Sequence, residues 1–142
     1  MDNVNKAYET MLMWKLRNPN LPAYVECTIG LLDVMIQEHK KLLLYQESDQ
    51  LPLTIENDLR LSYSAALIRF VNHVSSVSSY KGDTLYLAAK TQNIPDWVIN
   101  LRHDASHNQI LPQLDCLHIA VKLCFKWLIV SIVNEKSMDM LS

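Results

Sequence analysis

Apolar side chains recur at three- and four-residue steps from Ile55 through Leu59, Tyr63, Ala66, Leu67, Phe70 and Val74 to Val77. A segment with that period lays one continuous stripe along a helix, and other elements must cover the stripe. Thr54 offers an N-cap hydroxyl, and SYKGD (79–83) breaks the pattern, so the helix is expected from Thr54 to about Ser79.

The same period flanks it on both sides. Residues 2–17 carry Val4, Tyr8, Leu12 and Leu16 at helical spacing. Pro22, tolerated in a first turn, opens a second helix to about Tyr45 that buries Val25, Ile29, Leu32, Ile36 and Leu43. QESDQLPL (46–53) reads as a loop. Thr84 begins a short helix, Asn93 caps the next, and residues 114–134 form a last long helix, with 135–142 as a frayed extension. Strand signals are absent, and only two glycines occur, Gly30 and Gly82. That scarcity disfavours turn-rich β architectures and glycine-loop nucleotide sites. The expectation is one all-α domain over residues 1–134, a bundle of about five or six helices. A chain of 142 residues buries roughly 70% of its unfolded surface, enough for a core without staples.

Composition narrows the function classes. Hydrophobic residues make up 49% and charged residues 20%, which places the chain among globular rather than disordered proteins. The net charge of −2 gives no broad basic surface, so any nucleic-acid activity must come from a local constellation. Cys27, Cys116 and Cys124 form no CxxC pair and read as free thiols, with Cys116 and Cys124 packed on one side of the last helix. MDNVNKAYE lacks the basic-then-apolar order of a signal peptide. The longest apolar stretch, residues 117–133, is interrupted by His118, Lys122 and Lys126, and reads as a core helix rather than a membrane span.

The chemistry concentrates in RHDASH, residues 102–107. At about 100° per residue, Ile94, Trp97, Val98, Leu101 and Ala105 share one stripe, while His103 lies roughly opposite and His107 about 40° further round. The two imidazoles are then neighbours on the face turned from the core, with Arg102 on the shoulder. Three readings compete. The segment is an ordinary solvated face; or His103 and His107 are half of a metal site, with Asp115 or His118 as a third ligand but without the glutamate of HExxH; or it works on phosphodiesters. For the last, arginine supplies a planar fork matched to phosphate oxygens, and histidine titrates near neutrality. RNA cleavage by its own 2′-hydroxyl needs a base, an acid and a cation on the phosphorane, and no metal or cofactor. Elsewhere, Arg69, Asn72 and His73 sit off the apolar stripe; Arg69 reads as an RNA contact, a support for the RHDASH helix, or an ordinary solvated arginine. Trp14, Trp97 and Trp127 read as core residues.

RHDASH resembles the Arg-x4-His signature of the HEPN ribonucleases, and the chain is more narrowly similar to the N-terminal domain of the Las-type pre-ribosomal-RNA endonucleases. TMLMWKLRNPNLP (10–22), LRLSYSAALIRFVNHV (59–74), NIPDWVINLRHDASH (93–107) and CFKWL (124–128) carry the likeness across most of the chain. Asp104 stands where the family often has glutamate, Ser106 where it often has threonine, and NQIL makes the segment after His107 one residue longer. The resemblance implies a HEPN-type antiparallel bundle that forms a homodimer, its motif helices facing each other across a composite cleft. It implies metal-independent cleavage of pre-ribosomal RNA in the second internal transcribed spacer, leaving 2′,3′-cyclic phosphate and 5′-hydroxyl ends. Arg102 would hold the scissile phosphate, and His103 and His107 would share the acid and base roles. It further implies a nuclear, nucleolar setting and a polynucleotide kinase partner engaged by a C-terminal tail that these 142 residues do not include. The alternative within the same resemblance is a HEPN scaffold that dimerises or binds RNA without cutting it.

Overall fold

The computed structural model describes residues 2–46, 50–77 and 85–141, with side chains omitted at 77, 85–86 and 132–141. The described residues form six helices and no strand: α1 (Asp2–Arg17), α2 (Ala23–Leu44), α3 (Leu53–Val77), α4 (Leu85–Thr91), α5 (Asp96–His107) and α6 (Leu114–Leu141). The all-α bundle expected from periodicity is the architecture found. No helix among the described residues is long and apolar enough to cross a membrane.

The α3 stripe sits at the centre, packed against α2, α4, α5 and α6, while α1 lies against α2. Leu59, Tyr63, Leu67, Phe70, Val71 and Val74 are all buried along it. Leu117, Ala120, Val121, Cys124 and Leu128 meet them from α6, and Val98 and Ile99 from α5. Each buried Leu, Val, Ile or Phe contributes about 1.5–3 kcal/mol of transfer free energy, so this stripe dominates the stability of the bundle. Phe70 and Trp127 meet edge to face at 5.5 Å between centroids. The Trp127 indole N–H donates to the Gln92 carbonyl at 2.8 Å and so ties α6 to the end of α4.

Local signals at the helix ends differ from the sequence reading in two places. Thr54 does not cap α3: it lies within the helix, which begins at Leu53, and the Pro52 carbonyl already accepts from the Glu56 N–H at 3.0 Å. Asn93 closes α4 rather than opening α5. It adopts φ 62°, the Asn93 N–H donates to the Lys90 carbonyl at 3.1 Å, and the Ile94 N–H to the Ala89 carbonyl at 2.8 Å. That is a Schellman termination with asparagine in the left-handed position, sealed by buried Ala89 and Ile94. Pro22 starts α2 as expected, at φ −54°, and Pro95 rather than Asn93 starts α5, at φ −64°, where a missing N–H costs nothing.

Exposure corrects several core assignments. Trp14 is 47% exposed and Trp97 41%, so of the three tryptophans only Trp127 packs into the bundle. No residue of α1 is buried, and Leu16 and Leu43 are exposed, because α1 has one neighbouring helix and Leu43 falls in the last turn of α2. Cys124 is buried as expected, whereas Cys116 is exposed in the first turn of α6. The backbone of α6 stays helical to Leu141, through most of the stretch read as a frayed extension. Ser79, the SYKGD break and Thr84 lie outside the described residues.

Candidate functional site

The site is carried by α5, and its placement follows from how that helix packs. Val98 and Ile99 are buried, Leu101 and Ala105 are half-buried, and this apolar side rests on α3 and α4. The opposite side is left to solvent. His103 and His107 both project there, exposed, with ring centroids 4.7 Å apart and planes tilted by 50°. One helical turn accounts for the approach, since residues four apart stack on the same face. The helix ends at once after His107: the Asn108 N–H donates to the Asp104 carbonyl at 3.0 Å and the chain turns extended.

Arg102 goes elsewhere. It lies roughly 100° round the helix from His103, and its half-buried guanidinium is turned toward α3. There Nη2 donates to the Asn72 Oδ1 at 3.1 Å, while the buried Nε has no partner among the described residues. Within one chain, therefore, the two imidazoles are brought together and the guanidinium is held apart by a residue of another helix. Asn72, noted in sequence only as a polar residue off the apolar stripe, is the residue that orients it.

Asn72 also opens onto a cleft of about 910 Å³ between α2 and α3, whose lining includes Arg69 and His73 but neither His103 nor His107. Arg69 is exposed at its edge. His73 is half-buried beside Trp127, its ring centroid 6.3 Å from the indole, and burial lowers its pKa, favouring the neutral imidazole.

The metal reading needs a third ligand, and His118, one of the two candidates, is already engaged. His118 Nε2 lies 2.5 Å from Glu38 Oε2, on the α2–α6 side of the bundle. Among the described residues, no group of three His, Cys, Asp or Glu side chains is arranged to hold an ion.

Two polar clusters had no signature in the sequence. Glu38 receives the Tyr63 hydroxyl at 3.0 Å as well as His118, linking α2, α3 and α6, and the Tyr63 and His118 rings meet edge to face at 5.1 Å. Burial, reinforced by the Glu38 carboxylate, raises the Tyr63 phenol well above its usual range. Arg60 reaches from α3 to the connection after α5, where Nε donates to the Pro112 carbonyl at 2.8 Å and Nη2 to the Leu111 carbonyl. That clamp fixes the segment leaving His107. Glu38 and His118 are 80 positions apart, beyond the reach of any local pattern.

Known proteins resemble this chain over most of its length. Protein LAS1 of Saccharomyces cerevisiae is 29% identical over 142 aligned residues, covering 97% of this chain and 27% of that protein. The mouse protein named Ribosomal biogenesis protein LAS1L is 34% identical over 73 residues, 51% of this chain and 9% of that protein. The chain thus spans about a quarter of the yeast relative's length, and its matched part covers under a tenth of the mouse protein. The sequence profile described as Las1-like matches residues 1–131, which takes in α1 to α5, with RHDASH, and most of α6. Over nearly its whole bundle, the chain belongs to the Las1-like family.

Proposed function

We propose that this chain is the catalytic domain of a metal-independent endoribonuclease of ribosome biogenesis. It cuts pre-ribosomal RNA in the second internal transcribed spacer, with an active site composed when two copies bring their α5 helices together. The observation that carries the reading is the pair of exposed imidazoles 4.7 Å apart on the α5 face turned from the core. Family membership and the mouse relative's name, Ribosomal biogenesis protein, support the biological setting.

The chemistry follows from the side chains. One imidazole takes the proton of the RNA 2′-hydroxyl, and the 2′-oxygen attacks the adjacent phosphorus. The Arg102 guanidinium stabilises the charge on the phosphorane oxygens. A second imidazole, protonated, gives its proton to the departing 5′-oxygen as the P–O5′ bond breaks, leaving a 2′,3′-cyclic phosphate and a 5′-hydroxyl. Because Arg102 faces α3 and the imidazoles face outward, a partner copy is the means of presenting all three groups to one phosphate. The 5′-hydroxyl product suits a polynucleotide kinase as the next enzyme, and the substrate implies a nucleolar setting.

Purified protein incubated with a spacer RNA fragment in excess EDTA tests this. Cleavage with cyclic-phosphate ends is expected, lost in His107→Ala and nearly silenced in Arg102→Lys, since lysine keeps the charge but lacks the fork. Abolition by EDTA would refute metal independence, and a strict monomer at micromolar concentration would refute the composite site. The bond from Arg102 to Asn72 favours one other reading, a scaffold that binds RNA or dimerises without cutting. Absence of cleavage at any protein concentration would establish that reading instead.

A further inference from the structure

Gly30 is unexplained by the fold. It lies within the 22-residue helix α2, one of only two glycines in the chain, where glycine is the poorest helix former after proline. Glycine is commonly retained in a helix because a neighbour presses on the backbone, yet a Cβ at position 30 would meet nothing within 4 Å. What faces Gly30 is the cleft of about 910 Å³ between α2 and α3. The helix leaves its backbone bare toward open space, as chains do where a ligand comes close.

The rest of the cleft says which ligand. The Cys27 thiol donates to the Arg69 carbonyl at 3.9 Å and so links the two helices, and Leu21, Val34 and Ala66 add apolar lining. On the α3 wall stand the exposed Arg69 and the Asn72 that holds Arg102. On the α2 wall stand Asp33, with Oδ1 accepting from the Tyr8 hydroxyl at 3.1 Å, and Glu26, whose charge is paired with Lys15 at 3.1 Å. A cation on one wall, the Asp33 carboxylate (in no ion pair among the described residues) on the other and apolar lining between them match a nucleotide. Its phosphate is an anion, its base edge carries N–H donors, and its base is flat. A phosphate alone would be repelled by Asp33, and an apolar side chain would strand both charges.

We propose that the α2–α3 cleft is a nucleotide subsite for single-stranded RNA, holding one unstacked base against the bare backbone at Gly30 with its phosphate on Arg69. The placement of that nucleotide beside the cut rests on the function proposed above, because the cleft reaches Arg102 only through Asn72. The nucleotide enters as a single strand, since a paired base would keep its flat face stacked in the duplex.

The test is Gly30→Leu, measured by fluorescence anisotropy with a labelled 2′-fluoro RNA of about twelve nucleotides, which is not cut and spans more than one site. Leucine favours the helix, so Tm should rise by about 3 °C while the cleft fills and RNA affinity falls about tenfold or more. Arg69→Ala, at an exposed position, should weaken binding similarly and reduce the salt dependence by about one ion. If Gly30→Leu lowers Tm, the Arg69 variant decides. Unchanged RNA affinity in Arg69→Ala, or in a Gly30→Leu protein that is folded, overturns the subsite. A Gly30→Leu protein that turns from dimer to monomer also overturns it, marking the cleft as a contact with a second copy. If the wild type never cleaves RNA yet both variants weaken binding, the nuclease reading fails and the subsite stands.

Discussion

Replacing Asn72 by alanine isolates the bond on which the orientation of Arg102 depends. Asn72 Oδ1 is the sole acceptor for the guanidinium among the described residues, 3.1 Å from Nη2, and the buried Nε gives no second anchor. A hydrogen bond to a charged group is worth about 1.5–3 kcal/mol in a buried setting. Asn72 is exposed, so water replaces part of it and the loss falls to about 1–1.5 kcal/mol. If that energy holds the guanidinium ready for the phosphate, kcat should drop about tenfold, since 1.36 kcal/mol is one decade of rate. Removing the guanidinium itself should cost about 100- to 1,000-fold, the usual loss for one transition-state donor. Single-turnover cleavage of spacer RNA, with thermal melts of the same samples, makes the measurement. Tm should fall by no more than about 5 °C, the shift that about 1–1.5 kcal/mol produces in a chain of 142 residues, because no core contact is touched. Asn72→Asp should be slower still despite a stronger bond, as a carboxylate offsets the positive charge that the phosphorane needs. Unchanged kcat in Asn72→Ala would refute the positioning role, and so would an Asn72→Asp protein as fast as wild type.

Three further outcomes follow from the clusters outside the motif. Glu38→Ala strands the Tyr63 hydroxyl and His118 and should lower unfolding free energy by about 2 kcal/mol in urea titration, whereas Glu38→Gln, which keeps an acceptor, should lose less. Arg60→Met removes both donors to the 111–112 carbonyls and should expose the connection after His107 to limited proteolysis, with intact helicity by circular dichroism. Burial lowers the His73 pKa in the folded state, so below about pH 6.5 the unfolded chain binds the proton first. Stability should therefore fall as pH drops from about 6.5 toward the native value, and urea midpoints of His73→Gln should show a shallower pH dependence than wild type.

The α3 stripe shows how far local periodicity reaches. Leu59, Tyr63, Leu67, Phe70 and Val74 are buried as their spacing requires, and the same arithmetic on α5 turns His103 and His107 outward and side by side. Helix formation and the choice of apolar face are written in residues three and four apart, so sequence alone suffices for them. Ends of helices are less legible because one residue type serves two purposes. Asn93 is as good in a left-handed terminator as in an N-cap, and the buried pair Ala89 and Ile94 selects the former.

Residue order within single helices is enough to make this chain a helical bundle and to turn two imidazoles of one helix away from the core. Packing between helices brings Arg102 to Asn72, 30 positions away, joins Tyr63 to His118 through Glu38, and leaves Trp14 and Trp97 exposed. It also sets the cleft at Gly30. These depend on the angle and distance at which whole helices pack, which no repeat within one helix encodes.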